Sequence, residues 1–175
     1  MAVICYHVHQ TFMAPEAVER HQFYEEPLIP TVIFDGTDAV FEPDPSPDIY
    51  EQHIRAAQSV TPYFNLSMDL TASQTTGSIN LKIVTADTIP DDEIIGFITI
   101  LEDSLRGEIP PFYTFDRICR DMFQFPVDLV YPDSLDTTIT FSHSIPTNTM
   151  RAVLFIQDLD TKEVMQAIIQ KFEEK

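Results

Sequence analysis

Phe64-Asn65-Leu66-Ser67-Met68-Asp69-Leu70-Thr71 alternates apolar and polar side chains without a break, and that alternation decides the fold class. Successive side chains of an extended chain point to opposite faces, so a period of two predicts a half-buried strand. Working outward, Ile79, Leu81 and Ile83 alternate with Ser78, Asn80 and Lys82 after a loop ending at Gly77. Residues 94–102 and 152–157 are apolar on both faces and predict central strands, and 127–131 and 137–143 predict shorter ones. One helix is expected to interrupt them, because Phe115, Ile118, Cys119 and Met122 follow i, i+3, i+4, i+7 spacing. The tail has two readings: Val164, Ile168 and Phe172 suit a helix face, while 164–169 equally suits a strand. Seven short strands separated by turn signals predict an antiparallel, Ig-like β-sandwich over residues 60–175, with the one helix inserted.

The first third has a different rhythm. Residues 3–9 are a β-rich run, and Pro15 opens a helix through Tyr24 with Ala14, Ala17, Val18, His21 and Tyr24 on one stripe. Residues 31–34 and 38–41 predict two short strands around the turn signal Asp35-Gly36. After the Pro-dense Glu42-Pro43-Asp44-Pro45, Ser46 is a candidate N-cap, Pro47 sits at the first helical position and Asp48 complements the helix dipole. Tyr50, His53, Ile54 and Ala57 line the stripe of the helix that follows. Residues 1–59 thus predict an α/β unit, and the whole chain an α+β protein.

Ile29-Pro30-Thr31 leading into Val32-Ile33-Phe34-Asp35-Gly36 resembles the second part of a thioredoxin fold, in which a cis-proline precedes a strand, a hairpin turn and a last helix. Pro30 is the structural cis-proline that this resemblance implies. Tyr6-His7, the helix from Pro15-Glu16 to Phe23-Tyr24, and Pro30-Thr31 are also similar to the thioredoxin part of secreted, outer-membrane-associated proteins that carry a β-sandwich after it. Ile100-Leu101-Glu102-Asp103, Arg120-Asp121-Met122, Phe155-Ile156-Gln157-Asp158 and Thr161–Ala167 look like that second domain. The resemblance implies a cell-envelope or extracellular location. It departs from the family in one respect: the strand and helix bearing the CxxC are absent, and 1–59 matches only a truncated thioredoxin-like unit. Cys5 in a strand and Cys119 far along the chain do not replace a dithiol at a helix N-terminus. Without that first strand, 3–9 and 31–34 are expected to pair directly or to leave an open sheet, a template for strand addition from another chain.

Charge and composition narrow the function further. Ten Lys and Arg against 28 Asp and Glu leave −18, which repels phosphate backbones and anionic headgroups and sets nucleic acid aside as a partner. A hydrophobic content of 44%, with 13 Phe and 6 Tyr, rules out a disordered acidic tail. No apolar run approaches the ~20 residues of a transmembrane helix, and no signal peptide precedes Ala2, so the chain reads as cytoplasmic or as a mature or truncated product. Cys5 and Cys119 read either as a single bridge or as two buried thiols, the second being preferred.

Cys5, His7 and His9 alternate along one run and so face one way, a candidate Zn or Cu site with His21 or His53 as a fourth ligand. The competing reading is that Ile4, Tyr6 and Val8 form the core face and the histidines are solvated. His21, His53 and His143 each read as single histidines with satisfied nitrogens. Asp158, Asp160 and Glu163, and Asp91-Asp92-Glu93, are weighed as calcium-binding turns but lack the EF-hand spacing. GxSxG, HExxH and Gly-rich phosphate loops do not occur, and four Gly leave little from which to build one. The expectation is a non-catalytic structural or interaction protein that needs no cofactor and self-associates through open sheet edges, as a filament or assembly subunit. The alternatives are a thiol-disulfide oxidoreductase-like protein lacking its redox half and a metal-binding module.

Overall fold

The computed structural model describes residues 1–8, 12–25, 28–41, 46–90, 93–107 and 113–172. The chain forms α1 (Pro15–Tyr24), β1 (Val32–Phe34), β2 (Asp38–Val40), α2 (Pro47–Gln58), β3 (Phe64–Ala72), β4 (Thr76–Thr85), β5 (Ile94–Glu102), β6 (Leu105–Arg106), β7 (Thr114–Phe115), β8 (Ile118–Pro126), β9 (Ser134–Ser142), β10 (Met150–Asp158) and β11 (Val164–Lys171). Each helix starts with proline at its first positions, where the missing N–H has no partner to lose. Ser46 holds the extended N-cap backbone of α2, although its hydroxyl makes no cap bond. Glu25, left-handed at φ 57°, turns the chain out of α1.

Two antiparallel sheets carry the fold. One has the order β3-β4-β9 and the other β11-β10-β5-β8. The first, second and fifth strands of the seven make the smaller sheet; the third, fourth, sixth and seventh make the larger. Period-two patterning does what it should: Phe64, Met68, Ile79, Leu81 and Ile83 from one sheet meet Ile98, Ile100, Ala152, Leu154 and Ile156 from the other in a single buried cluster. The sheets close along β3 and β11, where the Gln166 Nε2 donates to the Phe64 carbonyl at 3.4 Å.

β5 and β10, paired without interruption from Met150↔Glu102 to Asp158↔Ile94, are apolar on both faces because both are covered. Phe97, Leu101, Cys119, Val153 and Phe155 form a second cluster on the outer face of the larger sheet, packed by Ala2, Ile4 and Tyr6 of the N-terminal segment. Helix α1 lies against the same sheet beside β8 with Ala17 fully buried. The architecture is therefore three layers: the smaller sheet, the larger sheet, and an outer layer of N-terminal segment and helix.

Three expectations change. The helix expected through Phe115, Ile118, Cys119 and Met122 is absent: Phe115 ends β7, and Ile118, Cys119 and Met122 lie in strand β8. Its register on β5 shifts between Ile100 and Leu101, which face Asp121 and Cys119, so Arg120 is an extra, bulged residue. The bulge puts Cys119 and Met122 on one face three positions apart, which imitates helical spacing. Among the described residues, 3–8 do not pair with 31–34. Cys5 instead bridges Ile118 in parallel, through Cys5 N–H to the Arg117 carbonyl (2.9 Å) and Cys119 N–H to the Cys5 carbonyl (3.0 Å). Residues 127–131 form no strand: the ladder ends as the Val127 N–H reaches the Ile94 carbonyl at 3.1 Å. The ambiguous tail resolves as strand β11, paired with β10 from Arg151↔Lys171 onward.

Leu154 is fully buried between the sheets. Leu154→Ala is expected to lower unfolding free energy by about 2–5 kcal/mol in urea titration; a loss below about 1 kcal/mol would mean that the inter-sheet core is not where these strands place it.

Candidate functional site

Helix α1 positions the most organised polar group of the described residues. Ala17, Arg20 and Tyr24 recur at three- and four-residue spacing, so they share the face that α1 turns to the larger sheet. Arg20 is only 5% exposed. Its Nη2 donates to the Tyr24 hydroxyl and to Gln157 Oε1, each at 2.6 Å. Its guanidinium lies 4.6–5.6 Å from the ring centroids of Phe23, Tyr24, Phe97 and Phe155, and the last two stack on one another at 4.9 Å. Among the described residues no carboxylate pairs with it, and its Nε has no partner. Aromatic faces, the Tyr24 and Gln157 acceptors and a further side-chain hydrogen bond to Tyr6 take the place of a counter-ion.

The same cluster ties down the β1–β2 turn. Gln157 Nε2 donates to the Tyr24 hydroxyl (3.1 Å) and to the Lys162 carbonyl (2.6 Å). Gly36, at φ 80°, sits so close that a Cβ there would lie 1.9 Å from that carbonyl. The Val164 N–H donates to the Asp35 carbonyl at 2.8 Å, and Lys162 Nζ pairs with Glu25 at 3.0 Å. A cleft of about 230 Å3 remains, lined by Tyr24, Ile33, Gly36, Thr37, Ala39, Thr161 and Lys162. The guanidinium is enclosed and its Nη2 is engaged by Tyr24 and Gln157, so this arrangement clamps the outer layer onto β10.

Above the clamp the α/β segment has little core. No α2 residue is buried; Phe34 meets Tyr50 and stacks on His53, whose Nδ1 pairs with Asp38. Around the three-residue strands β1 and β2, Leu28 (48%), Ile29 (52%), Val32 (38%), Phe41 (40%) and Met13 (52%) are exposed. The Ile29–Pro30 peptide bond is cis, as is Tyr131–Pro132.

Of the proposed metal ligands, Cys5 lies at the bridge to β8 and His7 sits edge-on between the Phe12 and Phe115 rings at 5.7 and 5.1 Å. Burial lowers the His7 pKa and raises that of Cys5. His9 lies outside the described residues, as do Asp91 and Asp92. Among the described residues no three His, Cys, Asp or Glu groups converge. Both thiols are free, which removes the bridged reading; burial, then Glu16 and Asp121, push the Cys119 thiol up to about 12, so it stays protonated at neutral pH. Asp158, weighed for calcium, accepts the N–H groups of Asp160 (2.8 Å) and Thr161 (3.0 Å) in its own turn. His143 binds the Ile145 carbonyl through Nδ1 at 3.0 Å. Sequence reasoning missed Arg20 and Gln157. The available signal was Arg20 falling on the Ala17–Tyr24 face, which reads as a solvated charge until that face is known to be covered.

No family model matches the sequence, and no curated protein matches it. Among solved structures, HBP35 of Porphyromonas gingivalis superposes with a TM-score of 0.74 at 9% identity, covering 90% of this chain and 58% of that one. The chain therefore spans less than two thirds of the length of HBP35, and the likeness is one of fold. A domain of the outer membrane lipoprotein Omp28 from Porphyromonas gingivalis gives a TM-score of 0.44 at 14% identity over 65% of this chain and 91% of that one. β-Glucosidase 3B from Thermotoga neapolitana gives 0.35 at 9% over 65% of this chain and 16% of its own. Scores this low carry no argument.

Two outcomes follow from the clamp and the charge. Arg20→Ala leaves Gln157 and Tyr24 short of a buried donor and removes the cation from four rings, and is expected to lower unfolding free energy by about 2–4 kcal/mol in urea; an unchanged midpoint would show that the clamp holds nothing. Burial raises the pKa of Asp35, Glu102 and Asp121. A carboxyl whose folded pKa exceeds its unfolded value stabilises the fold in acid and loses that contribution as pH rises through the folded value. The −18 charge adds repulsion in the same direction. His7, whose pKa burial lowers, works the opposite way below its ordinary value of about 6.5, so in the His7→Gln variant the urea midpoint is expected to be higher at pH 4 than at pH 8, and the reverse order would refute this account.

Proposed function

We propose that the chain is a non-catalytic structural or interaction protein of the cell envelope or extracellular space, with a partial thioredoxin-like unit (1–59) on an Ig-like sandwich (60–175), that works by self-association. One observation carries the reading: β1 and β2 are an isolated pair of three-residue strands with Leu28, Ile29, Val32 and Phe41 exposed around them. A two-stranded sheet packed only by a helix with no buried residue is marginal in water, and an apolar rim on it favours a further chain as its cover. The strand order supports the sandwich assignment, being that of an immunoglobulin-like fold whose fourth strand joins the larger sheet. The envelope location rests on the resemblance of sequence, with the likeness of fold to HBP35 as analogy. An assembly or filament subunit is the sharper form of the same reading.

Light scattering of the full chain across a wide concentration range tests it. The expected result is mass rising with concentration, and a loss of that rise in the Val32→Lys/Phe41→Lys double variant with the circular dichroism spectrum unchanged. A chain that stays monomeric at the highest concentration overturns the proposal.

A further inference from the structure

Strand β9 is a sheet edge of nine residues, and among the described residues no bulge, proline, cation or covering strand closes it, Asp136 being its one charge. No described strand pairs with it opposite β4. Its register on β4 runs unbroken from Thr76↔Ser142 to Val84↔Ser134, with no bulge, and Ser134–Ser142 contains no Pro, Lys or Arg. One outer strand of the other sheet, β8, differs on each count: it is bulged at Arg120, ends in Pro126 and is partly covered by Cys5, while the other, β11, lies along β3.

The hydrogen-bond phase states what β9 offers. The His143 N–H donates to the Thr75 carbonyl and the Thr85 N–H to the Asp133 carbonyl, so odd-numbered residues of this strand face β4. N–H and C=O groups alternate sides along an antiparallel strand, so those of Ser134, Asp136, Thr138, Thr140 and Ser142 point to the open side. The side chains alternate in the same rhythm: Leu135 and Ile139 are only partly buried at the core's margin, and Asp136, Thr138 and Thr140 are exposed on the outer face.

Resting on the self-association proposed above, the geometry points to an antiparallel pairing of β9 with the β9 of a second copy, centred on Thr138. A two-fold axis can pass through an even-numbered residue, whose pair is then hydrogen-bonded, or an odd-numbered one, whose pair is not; centring on Thr137 or Ile139 would leave residues at one end of the strand unpaired. Centring on Asp136 would oppose two carboxylates, which is unfavourable, and centring on Thr140 would leave the start of the strand unpaired. Centring on Thr138 pairs all nine residues: Ser134 with Ser142, Asp136 with Thr140, and, on the core face, Leu135 with Phe141 and Thr137 with Ile139. The two smaller sheets become one, and the half-buried apolar margin of each copy covers the other. Because each copy carries −18, association strengthens as salt rises.

Sedimentation of the full chain and its variants tests the pairing. Thr138→Pro removes an outward N–H and no backbone bond to β4, together with the Thr138 hydroxyl's bond to Asn80 Oδ1 at 2.7 Å, which Thr138→Val removes alone; Thr138→Pro is expected to abolish the dimer and Thr138→Val to keep it, while circular dichroism of both stays that of the parent chain. Thr140→Lys sets an ammonium opposite the partner's Asp136 twice over and is expected to tighten the dimer about fivefold. Thr71→Lys, the same charge change on β3, controls for net charge. Association that survives Thr138→Pro at parental strength, or a Thr140→Lys effect no larger than that of Thr71→Lys, overturns the β9 pairing. If the Val32→Lys/Phe41→Lys variant loses association in that case, the proposed function stands without it. If Thr138→Pro abolishes association and the double variant leaves it intact, the α/β surface is what fails.

Discussion

Every other feature of this fold answers to one constraint: the larger sheet is apolar on both faces. Ile98, Ile100, Leu154 and Ile156 need the smaller sheet, and Phe97, Leu101, Val153 and Phe155 need something on the other side. Leaving the second set in water would forgo roughly 1.5–3 kcal/mol for each large side chain. The N-terminal segment and α1 supply the cover. Their position follows from this demand more than from any strand pairing of their own, since among the described residues the bridge at Cys5 is the segment's one strand pairing with the sheet.

That cover brings a cation inside. An arginine without a carboxylate partner is costly to bury, and the cost here is offset by four ring faces and by hydrogen bonds to Tyr24, Gln157 and Tyr6 on different elements. The arrangement is specific in a way that apolar packing is not. It works only when α1, β5 and β10 are in one alignment, and through Gln157 and Lys162 it extends that alignment to the Gly36 turn. Beyond that turn the alignment stops, and β1, β2 and α2 carry apolar side chains that nothing described covers.

Legibility tracked the physics of each element. Strands β3 and β4 were readable because each is wet on one face, so that apolar and polar side chains alternate. The helices were readable from Pro15 and Pro47, and the turn from Asp35-Gly36. Strand β8 was not, because the bulge at Arg120 breaks the period on which strand reading depends. Residues 127–131 have strand composition but lack a neighbour to bond. The candidate site was the least legible part: Cys5 and His7 share a period-two face, which is all that a sequence can say of them, while the cluster around Arg20 draws on residues 137 positions apart.

What the sequence by itself determined is the set of elements whose burial is local in period, namely two antiparallel sheets and two Pro-initiated helices, together with a charge of −18. Tertiary structure alone decided where the N-terminal segment lies, that Arg20 is inside, and which edge stays open. Those three depend on contacts between residues far apart in the chain, whose energies are settled by which surfaces are left uncovered once the sandwich has closed, and no local period records that.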